Sequence, residues 1–480
     1  MQLTSQSNYL IATLSLCLLA SACTHQQYQA KPIDSTAVTA KLANKDPASK
    51  DFKAYIIKQG YDGNKLPFAE WGVDELTLCA LYFNPKLDVA KAQLGLANIA
   101  INTANLKLMP TLVGRAGRSN QANGDKSPWA FGLEVEIPIE TTNKRQIKGE
   151  EALHLQEVAR IDVADVAWQL RSQIAKDLLV YNENIAQQKQ LNDELTIQNS
   201  LIKLLEKRVQ LGAASNTELN AAKLLQQKAH FLLNSEQAKS AEICAALAAD
   251  VGLSTEKFAL LPLKSLDIES ALSTTPNTAL LQENALLNRL DIRRSLAKYA
   301  AAESKIKLEI AKQTPDISLS PGFAFEFGDS IWSLGFSTLL NLLNKNNALN
   351  QTLVAEATQL REIEGAQFET LQANVIAEVS QANAAYMASQ QNIYQVKQRL
   401  LAQQQYTQKL QRQLDAGQID RLDLTQNKLN TSLLEQQLIN AQFQQLNALL
   451  ALENSVQIPL NVGTVSNTGN ILNDKTIKIQ

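Results

Sequence analysis

The chain has 480 residues with 45 basic and 47 acidic side chains, and its formal net charge of −2 excludes a bulk electrostatic attraction to nucleic acid. Only 18 Gly and 12 Pro interrupt it, and long stretches without either are rich in Ala, Leu, Gln, Lys and Glu, which favour helix. Because aromatic residues make up only 5 %, the composition indicates long helices rather than several domains with large buried cores.

The N-terminus carries the pattern of an export signal. An apolar run over residues 9–19 is too short to span a membrane as a helix, and small residues lead from it to Cys23. This is typical of a bacterial lipoprotein signal, in which residues 1–22 are removed and Cys23 receives fatty acyl chains such as palmitate. A plain secretory signal is the alternative. We expect Cys79 and Cys244 to be buried free thiols.

The residues after this signal change character at about residue 70. Residues 23–70 are polar, contain three prolines, and are predicted to form an extended N-terminal arm. Helical periodicity begins near Asp74. A second helix is predicted from Asn84-Pro85 to about residue 108, since Pro is favoured in the first helical turn.

Four later segments alternate apolar with small or polar residues, which is the period of a β-strand. They span about residues 111–119, 130–139, 316–327 and 331–340 and form two hairpins. About ten residues suffice for a strand that crosses a bilayer, whereas a soluble sheet with one buried face is the alternative. An open sheet edge cannot lie in lipid, so four membrane strands require neighbouring chains. Three chains would supply twelve strands.

Two long helices carry a matching seam of mostly apolar residues. The seam positions are 191, 195, 198, 202, 205 and 209 in the first helix, and 396, 400, 403, 407, 410 and 414 in the second. Their alternating spacing of four and three predicts a coiled coil, with an ordinary amphipathic stripe as the alternative. The polar seam position is the same residue in both helices, Gln198 and Gln403.

The landmarks of the chain recur with a shift of 205 residues, which predicts a duplicated module. Pro110 and Pro315 are separated by this distance, and so are Gly212 and Gly417. Each of these glycines ends a long helix, and Ser215 and Asp420 are placed to cap the returning helices. The predicted segments are a first repeat (71–252), a connector (253–280), a second repeat (281–458) and a loose tail (459–480).

These strand pairs and Gly-tipped hairpins resemble the TolC-type outer-membrane efflux protein family over about residues 70–460. The local matches are Trp71 through Asn84-Pro85, the segment 289–292, in which the family usually has Pro in place of Leu290, and the two tips. The segment 137–145 resembles the heavy-metal-efflux, CzcC-like branch of that family.

The resemblance implies a mainly α fold with a small transmembrane β part. Three copies would form a twelve-stranded barrel in the outer membrane of a Gram-negative bacterium, surrounded by its lipid, and an α-helical barrel through the periplasm. Implied partners are a periplasmic adaptor and an inner-membrane pump, with no nucleic acid, no cofactor and no catalysis by the chain itself.

The resemblance also assigns roles to particular residues. Glu218 and Asp423, each six residues past a tip glycine, match acids that narrow and select the pore at the periplasmic gate; acids in a first helical turn also favour the helix dipole without any other role. Adaptor contacts are predicted at the tips, where a plain turn is the alternative: Arg208, Leu211, Gly212, Ala213, Leu414, Ala416, Gly417 and Gln418. The small-polar strand face places Glu134, Glu136 and Glu326 in the barrel lumen.

Other classes of function fit the sequence less well. Three His in unrelated contexts, without a phosphate-cradling loop or a metal-spaced cluster, disfavour an enzyme or a metal site. A periplasmic adaptor would carry one helical hairpin, and a structural coiled-coil lipoprotein would lack the four alternating segments. A type I secretion exit duct remains an alternative, and the cargo, whether drug, metal ion or peptide, is not readable from the sequence.

Overall fold

The computed structural model describes residues 28–61, 68–120, 127–266, 268, 278–338 and 348–460, and within these residues the chain forms eleven helices and four strands. The first repeat contains α3 (Val73–Phe83), α4 (Pro85–Ala104), α5 (Lys144–Gln210) and α6 (Asn216–Val251). The connector contains α7 (Thr255–Phe258). The helix α8 (Thr278–Asn288) runs from the end of the connector into the second repeat, which also contains α9 (Leu290–Ala311), α10 (Ala348–Asp415) and α11 (Arg421–Val456). The signal segment, Cys23 and the tail from residue 461 lie outside the described residues.

The four strands form one antiparallel sheet in sequence order. They are β1 (Thr111–Arg118), β2 (Trp129–Ile139), β3 (Ile317–Glu326) and β4 (Asp329–Thr338). The two hairpins are joined where β2 pairs with β3, so each repeat contributes one half of the sheet. The outer edges, β1 and β4, pair with no other described strand.

The hairpin of the second repeat is tighter than the sequence predicts. Phe327 and Gly328 both have positive φ, at 53° and 104°, as required at the two central residues of a type I′ turn. Therefore β4 begins directly afterwards, at Asp329, two residues before the predicted start at 331.

The two long helices that carry the seam are confirmed. The helix α5 has 67 residues and α10 has 68, which corresponds to about 100 Å each at the rise of an α-helix. Both turn back at a glycine, into α6 and α11 of 36 residues each. On the shared seam, Leu191, Leu195, Val396 and Leu400 are buried, as expected for helix pairs in contact along a heptad pattern.

The helices that precede and follow the strands pack side by side in the order α4–α5–α9–α10. This is the same order as the strands to which they connect. At the junction between the two layers, the Nζ atom of Lys144 is buried and donates to Asp316 Oδ1 at 2.8 Å and to the Thr314 carbonyl at 2.6 Å. Because Lys144 begins α5 and Asp316 precedes β3, this contact ties the two repeats together beneath the sheet.

The main apolar core lies where the base of the first helical hairpin, formed by α5 and α6, meets α2 (Lys50–Lys58) and α3. Its buried members include Trp71, Cys79, Leu247 and Phe258. Cys79 is buried as expected, whereas Cys244 is half-buried, so the expectation of a buried thiol is wrong for Cys244. Both are free cysteines.

The prediction of an extended N-terminal arm is wrong over two segments. The helix α1 (Ser35–Ala43) lies in a compact unit that ends at Asn44, and α2 (Lys50–Lys58) lies in the unit that begins at Lys45. Asp34 caps α1 and Ser49 caps α2 through side-chain hydrogen bonds. Pro32 and Pro47 each stand two residues before such a cap, so these prolines precede helices instead of marking extended chain.

The second helix of the first repeat also ends earlier than predicted. The helix α4 stops at Ala104, four residues short of the expected end. Its C-cap residue, Asn105, turns its side chain back to donate to the Ile101 carbonyl at 3.0 Å. A side chain that competes with the backbone in this way favours a helix end.

Candidate functional site

The two hairpin tips have the same backbone geometry. Gly212 and Gly417 both adopt φ = 72°. After each, the next N–H donates at 2.8 Å to a carbonyl five residues earlier, from Ala213 to Arg208 and from Gln418 to Gln413. This is the Schellman arrangement, which requires a left-handed residue and therefore favours glycine.

The structure places most of the predicted adaptor-contact residues on the surface of these tips. Leu211, which is 75 % exposed, is the most prominent apolar side chain there. Arg208 and Leu414 are half-buried, and the remaining members are exposed: Gly212, Ala213, Ala416, Gly417 and Gln418.

The two predicted gate acids are both exposed and both take part in capping boxes. Ser215 Oγ accepts from the Glu218 N–H at 3.1 Å, and Glu218 Oε2 accepts in return from the Ser215 N–H at 3.2 Å. Asp420 and Asp423 form the corresponding pair at the start of α11. The capping role accounts for an acid at each position, and it leaves each carboxylate exposed at the end of its hairpin.

An ion pair joins the two tips within one chain. The Arg208 guanidinium at the end of α5 binds the carboxylate of Asp420, which also caps α11. Behind it, Leu205 and Leu219 of the first hairpin pack with Leu422 of the second. The tips are therefore held together by one charged contact at the surface and an apolar cluster beneath it. The sequence did not indicate this contact, because the basic residues near the tips are out of register between the repeats.

The shared seam glutamines have different partners in the two hairpins. Gln198 donates to the buried Glu194 at 2.6 Å, and burial raises the pKa of that carboxyl. Gln403 instead donates to Asn427 at 2.8 Å, and Asn427 donates to Thr407 at 2.7 Å. The glutamine at this position therefore binds a carboxylate of its own helix in the first repeat, whereas in the second repeat it links two helices.

The polar and the apolar side chains of the strands lie on opposite faces of the sheet. The predicted polar face carries Glu134, Glu136 and Glu326, and Arg115 lies on the same face with its guanidinium 3.2 Å from Glu134. Sequence reasoning missed Arg115, because β1 alternates weakly. This face is therefore not purely acidic.

The other face of the sheet is apolar and exposed along β4. Trp332, Leu334 and Phe336 are 82 %, 71 % and 80 % exposed. At the end of β1, the Arg118 guanidinium lies 5.4 Å from the centre of the Trp129 ring. The soluble alternative, a sheet with its apolar face buried in its own core, does not describe this sheet.

No described helix is both long enough and apolar enough to cross a membrane. The described residues also contain no group of three or more His, Cys, Asp or Glu side chains placed to hold a metal ion.

A buried ion pair between the repeats was not predicted. Arg171 on α5 and Glu453 on α11 are 3 % and 0 % exposed and form a hydrogen-bonded ion pair. The second carboxylate oxygen of Glu453 accepts from the Leu460 N–H at 2.9 Å, and the Arg171 guanidinium lies against the ring of Trp168. No sequence signal links two residues so far apart in the chain.

These features define a class of protein: a duplicated chain of long helical hairpins attached to a four-stranded sheet with an exposed apolar face. Residues 79–252 match the sequence model of the family described as outer membrane efflux protein. A search of curated proteins gives no match.

Solved structures extend the likeness over both repeats. CusC matches with a TM-score of 0.67 and 18 % identity, covering 90 % of this chain and 99 % of that one. VceC from Vibrio cholerae matches with a TM-score of 0.65 and 19 % identity, covering 80 % and 95 %. The Neisseria gonorrhoeae MtrE outer membrane channel matches with a TM-score of 0.60 and 16 % identity, covering 80 % and 88 %. Residues 79–252 thus carry the match to the family, and the solved structures show that the chain shares their fold over both repeats.

Proposed function

We propose that this chain is the outer-membrane exit duct of a tripartite efflux system. Three copies close one barrel of twelve strands in the outer membrane and one tube of helices in the periplasm. The duct passes substrate without chemistry of its own, and the pump and adaptor choose the cargo.

The observation that carries this proposal is that the sheet exposes its apolar face and that neither edge strand has a second partner among the residues that the structure describes. Exposed apolar side chains suit contact with lipid, but unpaired edge strands do not, because lipid offers no hydrogen bonds to the free N–H and C=O groups. Pairing of β1 in one copy with β4 in the next satisfies these groups and seals the wall.

The polar face then lines the channel. Glu134, Glu136 and Glu326 give the lumen an acidic lining, which Arg115 partly neutralises. At the other end, the small and exposed tip residues around Gly212 and Gly417 contact the adaptor. Glu218 and Asp423 stand in two sets of three carboxylates at the periplasmic mouth, where they attract cations. Acyl chains on Cys23 anchor the N-terminus to the membrane.

The membrane role of the sheet is tested with a matched pair of substitutions in adjacent residues of β4. Leu334→Lys places a charge on the proposed lipid face near the middle of the strand, where such a charge costs about 2–4 kcal/mol per copy. Ser333→Lys places the same charge on the opposite face, beside Gly322. We expect Leu334→Lys to abolish insertion into the outer membrane, and Ser333→Lys to insert and to alter single-channel conductance in planar bilayers.

Equal insertion of both variants would contradict the proposal. A sheet whose two faces do not differ in contact with lipid would tolerate the same charge equally well on either face. If neither variant inserts, circular dichroism of the purified proteins will show whether the variants fold. If they are unfolded, the milder pair Leu334→Gln and Ser333→Gln replaces them, and we expect the same contrast in insertion.

A further inference from the structure

The apolar face of the sheet carries one charged side chain. In the observed register, this face holds the even-numbered residues of β1 and β4 and the odd-numbered residues of β2 and β3. Arg118 is the only ionisable residue among these positions of the four strands. The other charged residues of the strands all lie on the polar face: Arg115, Glu134, Glu136, Glu326 and Asp329.

Arg118 lies at the end of the sheet that is far from the helices. The helices α4 and α9 lead into β1 and β3, and α5 and α10 follow β2 and β4, so the helices all attach to one end of the sheet. Arg118 pairs with Trp129 at the opposite end, where the chain turns from β1 to β2. The proposed function, on which this placement rests, extends the helices into the periplasm, so the hairpin end faces the outer leaflet.

The length of β2 places Arg118 at the boundary of the lipid. From Trp129 to Ile139 the strand spans about 33 Å along its axis, or about 25 Å across the membrane at a tilt of about 40°. The apolar band of a transmembrane barrel has about this height. Since Ile139 stands at the helical end of the band, Trp129 and Arg118 stand at its outer edge, where a charge on the lipid face costs little.

The guanidinium of Arg118 is held against an aromatic ring. It lies 5.4 Å from the centre of the Trp129 ring, and Trp129 stacks on Phe131 with 6.0 Å between the ring centroids. On the other face, Arg115 pairs with Glu134 at 3.2 Å, whereas Arg118 has no ion pair within the part of the chain that the structure describes. An aromatic ring attracts a cation through its face and leaves the N–H edge of the guanidinium available for an anion.

We propose that Arg118 and Trp129 bind the phosphate group of an anionic lipid in the outer leaflet. The planar guanidinium donates two parallel N–H bonds to phosphate oxygens, and the indole ring lies at the depth of the lipid head groups. Phe131 and Leu133 are exposed on the same face, one and two rows nearer the helices, and contact the acyl chains of that lipid. The site therefore joins a cation at the head group to an apolar surface beneath it.

This combination favours a lipid with a net negative head group over other anions. A zwitterionic choline head group carries its own cation, which competes with Arg118 for the phosphate. Inorganic phosphate reaches the guanidinium but makes no contact with the apolar residues beneath it, and an exposed ion pair without such support is weak in water. Arg118 and Phe131 together therefore select an anionic amphiphile.

Lipid binding to the protein purified in a neutral detergent tests the site. Short-chain phosphatidylglycerol and phosphatidylcholine of equal acyl length are titrated separately, and bound lipids are counted by native mass spectrometry. We expect the unsubstituted protein to bind phosphatidylglycerol about tenfold more tightly, as one charge-assisted contact provides. Arg118→Gln should raise the Kd for phosphatidylglycerol about tenfold and leave the Kd for phosphatidylcholine nearly unchanged.

Arg115→Gln is the matched control, because it removes the same charge from the polar face of the same strand and should keep the preference for phosphatidylglycerol. If Arg118→Gln does not fold, Arg118→Lys takes its place. Lysine keeps the charge but lacks the planar fork, so this variant should weaken phosphatidylglycerol binding about threefold.

Three results would overturn the lipid site. The first is phosphatidylglycerol binding that is unchanged by the substitution of Arg118. The second is an equal loss of the preference in Arg115→Gln. The third is displacement of phosphatidylglycerol by an equal concentration of inorganic phosphate, which would show that the site takes a free anion.

The failure of the site and the failure of the duct give different results. If Leu334→Lys and Ser333→Lys differ in insertion but Arg118→Gln binds phosphatidylglycerol as tightly as the unsubstituted protein, the lipid site is wrong and the proposed duct stands. If the unsubstituted protein stays in solution as a single copy without detergent, the proposed duct itself is wrong, and the lipid site with it.

Discussion

Arg171 and Glu453 show how a single buried contact couples the two repeats. Both side chains are withdrawn from water, and each makes a second contact, with Trp168 and with the Leu460 N–H respectively. A buried ion pair adds little net stability over apolar residues of similar size, but removal of one partner leaves an uncompensated charge. Its value to this chain therefore lies in fixing how α11 sits on α5.

We expect Arg171→Met to lower the free energy of unfolding by about 3–5 kcal/mol, because the buried carboxyl group of Glu453 would lose its cationic partner. The double variant Arg171→Met/Glu453→Gln removes both charges, keeps an acceptor for Leu460, and should recover most of the loss. Denaturant unfolding in detergent, followed by circular dichroism, measures both. The control Lys239→Met breaks an exposed pair with Glu236 and should cost less than about 1 kcal/mol. A double variant as unstable as the single one would contradict this account.

Asp250, near the end of α6, makes the stability of the fold depend on pH at the base of the first helical hairpin. Burial, together with a hydrogen bond and repulsion from Asp177, raises the pKa of Asp250 to about 6, against a partial offset from Lys86. A carboxyl whose pKa is raised in the folded state stabilises the fold when protonated. This contribution is complete below its ordinary pKa near 3.8 and is lost as the pH rises through about 6.

We therefore expect the midpoint temperature of unfolding to fall between pH 4 and pH 7, and Asp250→Asn to flatten this fall by raising the midpoint at pH 7 more than at pH 4. Glu242→Gln removes an exposed acid from the same helix and should leave the profile of the unsubstituted protein unchanged. Parallel profiles for Asp250→Asn and the unsubstituted protein would show that this carboxyl does not govern the dependence.

The helical hairpins are the elements that the sequence predicted best. Glycine at a left-handed stop and Ser or Asp three residues later are local signals, and Gly212, Gly417, Ser215 and Asp420 all have the predicted roles. The contact between the tips could not be predicted in the same way. Arg208 and Asp420 meet only because two hairpins pack side by side, and that packing depends on the whole core.

At the scale of one hairpin, the charge and the cap at each tip can be separated by substitution. Glu218→Gln and Asp423→Asn remove the carboxylates but keep a side-chain oxygen that can accept in the capping box. If these acids line the periplasmic mouth, the double variant should lose cation selectivity in planar bilayers. Ser215→Ala removes a cap at a cost of about 1 kcal/mol and should leave selectivity unchanged.

If cation selectivity changed in Ser215→Ala and stayed the same in the double variant, Glu218 and Asp423 would be assigned to helix capping alone. The proposed contact of the tips with an adaptor needs a separate test. It would be measured by binding of the purified adaptor to the same variants.

For the whole molecule, the repeat was the most informative signal, because a shift of 205 residues relates caps, seams and strands at once. The repeat predicted the strand pairs and the long helices, with errors of a few residues at the ends of these elements. The capped helices of the N-terminal segment were missed, since short helices near prolines leave little periodicity. The Arg171–Glu453 and Lys144–Asp316 pairs were missed because their partners are brought together only by packing of one repeat on the other.

The central claim is that several copies of this chain together close one wall. Its most direct test is the native mass of the purified protein in detergent, with Cys23→Ser included to remove any acyl anchor. We expect three copies in one particle and a continued requirement for detergent. A single-copy particle that stays in solution without detergent would contradict the claim.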